Sequence, residues 1–154
     1  MRSEAVESLA GEIGESLLAF TFDDGPSEWT TRIAKAFSAR GGRATFFVIG
    51  DAVSGRENVL LSVDEQGHDI GNHSMTHRPL TGLDRASLMD ELRGASERIQ
   101  AVTGRWPLLL RPPCILCDEA VLDAAGEIGM PWTVCTPAVP PTGSCRLQRR
   151  SPTR

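Results

Sequence analysis

The chain lacks several features that would place it in common functional classes. No stretch approaches the roughly eighteen consecutive apolar residues of a membrane span, so none is predicted. Basic residues do not outnumber acidic ones, and the formal net charge of −4 gives no electrostatic reason to expect nucleic-acid binding. Tyrosine is absent, no histidine follows His77, and no acidic residue follows Glu127. With 40% hydrophobic residues, the composition is that of an ordinary globular domain.

The N-terminus does not have the pattern of a secretion signal. Glu4, Glu7 and Glu12 interrupt the segment that would have to be apolar in a signal peptide. As it stands, the sequence therefore predicts a cytoplasmic protein. If the true N-terminus is missing from this chain, we instead expect a secreted protein.

The cysteines are confined to the last third of the chain. Cys114, Cys117, Cys135 and Cys145 are too few and too unevenly spread for a secreted disulfide scaffold. Cys114 and Cys117 form a CxxC motif, but no second CxxC or CxxH follows, so a redox or zinc role is only weakly indicated. Reduced, buried thiols are the simpler interpretation.

Apolar strand-like runs alternate with helix-like segments along the chain. Leu88, Leu92, Ala95, Ile99 and Val102 recur at helical spacing and predict an amphipathic helix, which Asp84 can cap and Gly104 can end. Continuously apolar strands between helices indicate a parallel sheet covered by helices, with active sites at the carboxyl ends of the strands. Strands are predicted at 17–22, 44–49, 68–72, 108–110 and 132–134, and helices at 28–40, 57–66, 84–103 and 118–128.

The pattern divides the chain into three parts. Residues 1–16 form an N-terminal extension and residues 17–136 the folded domain. The tail, 137–154, has four prolines, four arginines and no acidic residue, so it is not expected to bury a core.

Two groups of polar residues follow predicted strands. Asp23 and Asp24 lie in a Gly-Pro turn, where both carboxylates can reach one cavity, although an Asx turn or a helix cap is the ordinary use of such residues. His73 and His77 are four apart, and on a helical turn both imidazoles would face the same side; two solvated histidines are the alternative. Two imidazoles and one carboxylate make a three-ligand face for a divalent metal ion, most of all Zn²⁺, with Co²⁺ or another ion as alternatives.

Arg111 follows the fourth predicted strand and precedes two prolines, which stiffen the turn. A guanidinium at this place can pair with a carboxylate and keep it ionised. The alternative is a surface arginine beside a loop.

Three motifs together resemble a known family. Thr21–Pro26 (TFDDGP), His73–His77 (HSMTH) and Arg111–Pro113 (RPP) are similar, in order and spacing, to the first three motifs of the polysaccharide deacetylases with a NodB-homology domain. The resemblance runs from about Leu17 to Trp132. It implies an α/β fold, a distorted (β/α) barrel that is incomplete at its C-terminal end here, and a metal-dependent hydrolase acting on an acetylated carbohydrate.

The resemblance also implies roles for individual residues. Asp23 is the general base that takes a proton from the attacking water, and Arg111 orients it. The backbone amide of Cys114 helps to hold the oxyanion, at a position where the family usually has tyrosine. The divalent metal is bound by three residues, namely Asp24, His73 and His77.

The late part of the family pattern is missing. The family supplies its general acid as a late histidine, and this chain has none after His77. Catalysis is therefore expected to be weak, since a general acid commonly contributes about 10²–10⁴ in rate. The tail resembles out-of-frame translation, so truncation or a frameshift is a hypothesis that the downstream DNA would test.

Two alternatives remain beside a deacetylase. One is an impaired remnant that only binds metal or glycan. The other is a non-haem iron enzyme, because two histidines and a carboxylate also suit Fe(II); the adjacent free carboxylate favours hydrolysis. With no tyrosine and 5% aromatic residues, no long sugar-stacking groove is indicated. No motif indicates which glycan is bound or what the oligomeric state is.

Overall fold

The structure is a computed structural model that describes residues 4–5 and 18–137. Most strands lie in one sheet: β1 (Glu4–Ala5), β2 (Thr21–Gly25), β3 (Thr45–Val48), β4 (Asp69–Asn72), β5 (Leu109–Leu110) and β7 (Trp132–Thr133). A separate pair contains β6 (Leu116–Cys117) and β8 (Thr136–Pro137). The helices are α1 (Thr30–Ser38), α2 (Gly50–Val53), α3 (Glu57–Glu65), α4 (Arg85–Thr103) and α5 (Glu119–Glu127), with a 3₁₀ turn at Pro113–Ile115.

The main sheet is parallel, as the alternating pattern predicts. Its strand order is β1-β7-β5-β4-β3-β2, and every pairing within it is parallel. β3 illustrates the apolar pattern on which that prediction was based. Phe46, Phe47 and Val48 are all buried, because both faces of this strand are covered, as is usual in parallel sheets. Phe46 packs in a cluster with residues of α1, α2, α3 and α4, and a second cluster lies between α4, α5 and the sheet.

The longest helix has the start and end that its sequence predicts. The Asp84 side chain caps α4 by accepting a hydrogen bond from the Ser87 amide at 3.0 Å. Gly104 ends the helix in the left-handed conformation, with φ of 73°. Four residues of the predicted apolar stripe are buried and one, Val102, is partly buried. The helix packs beside the carboxyl end of β4, where the Asn72 side chain donates to the Leu92 carbonyl.

The boundaries differ from prediction at the start of α1. The helix begins at Thr30 instead of at residue 28, Trp29 is the N-cap, and no side chain caps the helix. Ser27 makes local bonds: its amide donates to the Thr30 hydroxyl at 2.9 Å, and its hydroxyl accepts from the Trp29 amide at 3.3 Å. These bonds order the turn before the helix. The short helix α2 was not predicted.

Both ends of the folded region contribute strands. Glu4–Ala5, from the expected N-terminal extension, pairs with β7. Thr136–Pro137 pairs with β6. The prediction that the tail buries no core concerns mainly residues 138–154, which lie outside the described residues. No helix in the described part of the chain is both long and apolar enough to cross a membrane.

The cysteines correct the expectation of reduced thiols. Cys117 and Cys135 form a disulfide across a sequence separation of 18, and Cys114 is disulfide-bonded as well. The spacing could not reveal this, because it does not show that β6 and the segment after β7 lie side by side. Cys145 lies outside the described residues.

Candidate metal centre

The three polar motifs meet at one edge of the sheet. Asp23 and Asp24 lie in β2, His73 directly follows β4, and Arg111 directly follows β5. In the sheet, β4 pairs with both β3 and β5, while β2 pairs with the other side of β3. Because the strands are parallel, their carboxyl ends lie at the same edge, where active sites of α/β proteins gather.

Asp24, His73 and His77 bring one ligand atom each to a common point. The Asp24 Oδ1 lies 3.4 Å from Nε2 of His73 and 3.1 Å from Nε2 of His77. All three ligand atoms lie within 4.8 Å of one another. His73 is buried, His77 is partly buried, and the Asp24 side chain is 64% exposed, so the cluster opens to solvent on the carboxylate side.

The backbone directly after β5 orients His73. The His73 Nδ1 lies 2.6 Å from the Arg111 carbonyl oxygen, which can only accept, so Nδ1 carries the proton and Nε2 keeps its lone pair. Burial lowers the pKa of His73, while the bond to Arg111 and the nearby carboxylates Asp23 and Asp24 oppose that shift. A neutral imidazole held by a carbonyl through its other nitrogen is the usual form of a histidine ligand.

The donor set fits a divalent ion. Ligands at about 2.0–2.2 Å from a tetrahedral zinc ion are separated by roughly 3.3–3.6 Å. The distance from the Asp24 oxygen to Nε2 of His73 lies in this range, and the distance to Nε2 of His77 is slightly shorter. Asp24, His73 and His77 would therefore hold the ion, with at least one coordination position left for another ligand.

The segment between the two histidines is a loop, so the expectation of a helical turn is wrong. Ser74 and His77 have φ of 67° and 64°, which lie outside the right-handed helical region. The His77 amide donates to the Ser74 hydroxyl at 3.0 Å, which closes the loop. The four-residue spacing thus brings the imidazoles together by a tight turn, with ring centroids 4.9 Å apart.

Asp23 is held by Arg111 beside the ligand cluster. The Arg111 Nη1 donates to Asp23 Oδ1 at 2.7 Å and to the Thr21 hydroxyl at 2.8 Å. The guanidinium also lies over the Phe47 ring, 4.3 Å from its centroid. Its Nε is buried without a hydrogen-bond partner among the described residues. The predicted Arg–carboxylate contact is present, and the role of Asp23 as a base stays a prediction.

Cys114 lies in the 3₁₀ turn after Arg111 and adopts the left-handed conformation, with φ of 61° and ψ of 10°. Ile115, with φ of 60°, continues this unusual backbone. The turn follows β5 at the same sheet edge as the ligands. The role of the Cys114 amide in holding an oxyanion stays a prediction.

Sequence reasoning missed two buried polar residues beside the site. Asn72 at the end of β4 accepts from the Ser74 amide at 2.7 Å and donates to the Leu92 carbonyl at 2.8 Å. Glu91 on α4 is 3% exposed and bonds to the loop between the histidines. The signal for Glu91 was its position: it falls three residues after Leu88, on the apolar face of an amphipathic helix, where an acidic residue is rarely buried without a partner.

Most of the chain is similar to one family of known proteins. The sequence model of the polysaccharide deacetylase family matches residues 10–132, which includes every residue of the site. A chitin deacetylase of Pestalotiopsis sp is 31% identical over 114 residues, covering 72% of this chain and 38% of its own. The peptidoglycan-N-acetylmuramic acid deacetylase PdaC of Bacillus subtilis is 35% identical over 100 residues, covering 64% of this chain and 21% of its own. The chain thus spans well under half the length of these relatives.

Solved structures show the same fold. The structure of PdaC matches with a TM-score of 0.69 and 29% identity, covering 80% of this chain and 59% of that one. A pseudoenzyme of carbohydrate esterase family 4 from Bacillus anthracis matches with a TM-score of 0.73 and 22% identity, covering 79% and 43%, which shows the fold alone. The parallel sheet is therefore part of the distorted barrel that the sequence predicts. By its motifs, its fold and its match over residues 10–132, this chain belongs to the polysaccharide deacetylase family.

Proposed function

We propose that this chain forms the metal-and-base part of a hydrolase site that removes acetyl groups from an acetylated amino-sugar polymer. The observation that carries the proposal is the convergence of Asp24, His73 and His77 within 4.8 Å, beside a second carboxylate held by Arg111. The relatives named above act on chitin and peptidoglycan, which share an N-acetylated sugar. Either polymer is therefore a suitable first substrate.

The residues divide the chemistry of amide hydrolysis between them. When bound, a divalent ion polarises the acetyl carbonyl and lowers the pKa of an attacking water. Asp23 accepts the proton of that water, and the Arg111 guanidinium orients Asp23 through its hydrogen bond to Oδ1. The Cys114 amide is proposed to donate to the oxygen that gains negative charge.

Release of acetate tests this function directly. The purified chain, loaded with Zn²⁺, is incubated with an acetylated chito-oligosaccharide and with peptidoglycan fragments, and acetate is measured enzymatically. We expect acetate above that released by a His73→Ala variant, which loses a buried ligand. Equal release by both proteins would remove the deacetylase proposal.

A metal- or glycan-binding remnant is the second candidate. The one further histidine of this sequence, His68, is buried just before β4, at the end of the strand away from the ligands, so among the residues of this sequence no third imidazole stands at the site to protonate the leaving amine. We expect slow turnover for this reason, with metal binding retained because all three ligands lie in the folded part. Zinc binding without any acetate release would support the remnant.

Zinc is the proposed ion. The Asp24–imidazole distances are close to those of a tetrahedral zinc site, and the second carboxylate, Asp23, suits hydrolysis. Elemental analysis of protein purified without chelators tests the choice. A high iron content, with less than one zinc ion per chain, would favour the non-haem iron enzyme instead.

We also propose that the chain folds in an oxidising compartment, against the cytoplasmic expectation. The Cys117–Cys135 disulfide supports this, because such bonds rarely persist in a reducing cytosol. Maleimide labelling of the protein in extracts of its native cells tests the proposal. Labelling of Cys117 or Cys135 without prior reduction would contradict it.

A further inference from the structure

The loop between the two histidine ligands has a backbone that needs support. Ser74 and His77 both adopt positive φ values, of 67° and 64°. Such conformations cost free energy in residues other than glycine and persist only where surrounding contacts impose them. The contacts of this loop therefore decide whether the His73 and His77 imidazoles converge.

One side of the loop is bound by the start of α2. The amide of Gly50 donates to the Ser74 carbonyl and the amide of Asp51 to the Met75 carbonyl, both at 3.0 Å. The Met75 side chain also packs closely here, since a Cβ on Gly50 would lie 2.5 Å from its sulfur. This side fixes the carbonyl groups of the loop and leaves its amide groups to be satisfied elsewhere.

The other side of the loop is bound by Glu91. In the described part of the chain, this residue is the hydrogen-bond acceptor for the amides of both Met75 and Thr76. Its Oε2 accepts from the Met75 amide at 3.0 Å and the Thr76 amide at 2.9 Å. Its Oε1 accepts from the Thr76 hydroxyl at 2.7 Å and pairs with Arg78 Nε at 2.8 Å. One carboxylate, 3% exposed, thus receives four donors from a segment that begins two residues after His73.

The burial of Glu91 favours a positioning role over packing. A buried carboxylate carries a desolvation cost that an apolar residue on the same face of α4 would avoid. Two of its donors are the amides of Met75 and Thr76, the two residues before His77, and no apolar side chain could accept hydrogen bonds from them. Groups that orient metal ligands in this way affect metal affinity without touching the ion.

We propose that Glu91 is a positioning residue that holds the loop between His73 and His77, so that both imidazoles face Asp24. The proposal rests on the metal site of the proposed function. It predicts that loss of the carboxylate loosens the loop first and weakens metal binding as a consequence. The chain without metal should already show the loosening.

Glu91→Gln tests this, because it keeps the shape of the side chain and replaces one acceptor by a donor. Glu97→Gln is the matched control: Glu97 is exposed on the same helix. Hydrogen exchange in the metal-free proteins should be faster for the Met75 and Thr76 amides in Glu91→Gln only. Zinc affinity, measured by chelator competition, should fall about 10–100-fold in Glu91→Gln and stay unchanged in Glu97→Gln.

A second measurement separates positioning from simple stability. Zinc raises the Tm of a protein that binds it in the folded state, by an amount set by its affinity. A merely structural Glu91 would lower the Tm equally with and without zinc, whereas a positioning Glu91 also shrinks the rise that zinc produces. If Glu91→Gln does not fold, Thr76→Val is tested in its place. Thr76→Val removes a single donor and keeps the buried carboxylate, so we expect a smaller effect in the same direction.

The outcomes distinguish this inference from the proposed function. Weaker zinc binding and faster exchange in Glu91→Gln support the inference even if the wild-type chain releases no acetate. Wild-type zinc affinity and unchanged Met75 and Thr76 exchange in a folded Glu91→Gln would overturn it, whatever the acetate assay shows. Unchanged zinc binding in Thr76→Val, where only that variant folds, would also overturn it.

Discussion

Asp23 and Asp24 are neighbours in sequence, yet each has a different set of partners. Asp24 adopts a left-handed backbone with φ of 64° and approaches both imidazoles, whereas Asp23 is bound by Arg111. Successive side chains of a regular strand point to opposite faces. The pairing register of β2 shifts between Phe22 and Gly25, which lets both carboxylates act at one edge of the sheet.

This division predicts that the two aspartates fail differently when changed. Asp23→Asn keeps an oxygen for Arg111 but removes the base, so the rate of acetate release should fall by about 10²–10⁴ while zinc affinity stays near that of the wild type. Rates at saturating zinc, together with chelator competition, measure the two quantities separately.

Asp24→Asn is the paired control for that measurement. It removes the charged ligand, so zinc affinity itself should fall. If Asp23→Asn lost zinc and Asp24→Asn retained it, the assignment of base and ligand would have to be exchanged.

At the scale of elements, the site depends on how closely α2 and α4 approach the ligand loop. A Cβ on Gly50 would lie 2.5 Å from the Met75 sulfur and 3.0 Å from the Ala95 Cα. The Met75 side chain could move, but the backbone of α4 could not do so cheaply. Glycine at position 50 is therefore required by the packing of α2 on α4, and that packing fixes the loop.

Gly50→Ala should destabilise the fold by about 1–3 kcal/mol, because overpacking forces the loop or α4 to shift. Urea unfolding measures the change in free energy. Gly42→Ala is the control, since its Cβ would meet Phe37 only at 3.5 Å, an ordinary contact. If Gly50→Ala were as stable as Gly42→Ala, α2 could accommodate a Cβ at position 50, and the prediction would be wrong.

The elements also show where sequence reasoning succeeds. The helix α4 was predictable because an apolar stripe, a capping Asp84 and a terminating Gly104 all indicate the same boundaries. α2 was not, since four residues are too few to show a helical period. The helical turn predicted between His73 and His77 was wrong because a spacing of four also fits a loop with positive φ, and only long-range contacts such as those of Glu91 impose that backbone.

At the scale of the whole molecule, local motifs predicted the position of the site better than they predicted the strand pairings and the disulfide around it. Asp24, His73 and Arg111 were placed correctly at one sheet edge because parallel strands bring their carboxyl ends together. The pairing of Glu4–Ala5 with β7 joins segments more than a hundred residues apart, and no local pattern encodes it. The same holds for the Cys117–Cys135 disulfide, which depends on β6 and the segment after β7 lying side by side.

That disulfide should carry a measurable share of the stability. Closing a loop across 18 residues restricts the unfolded chain and corresponds to about 3 kcal/mol by chain entropy. Cys117→Ala combined with Cys135→Ala should therefore unfold at a lower urea concentration than the oxidised wild type. Reductant lowers the wild-type midpoint as well, and the smaller shift that it causes in the double variant reports the remaining disulfide of Cys114. Identical midpoints for the oxidised wild type and the double variant would mean that this bond does not constrain the unfolded chain.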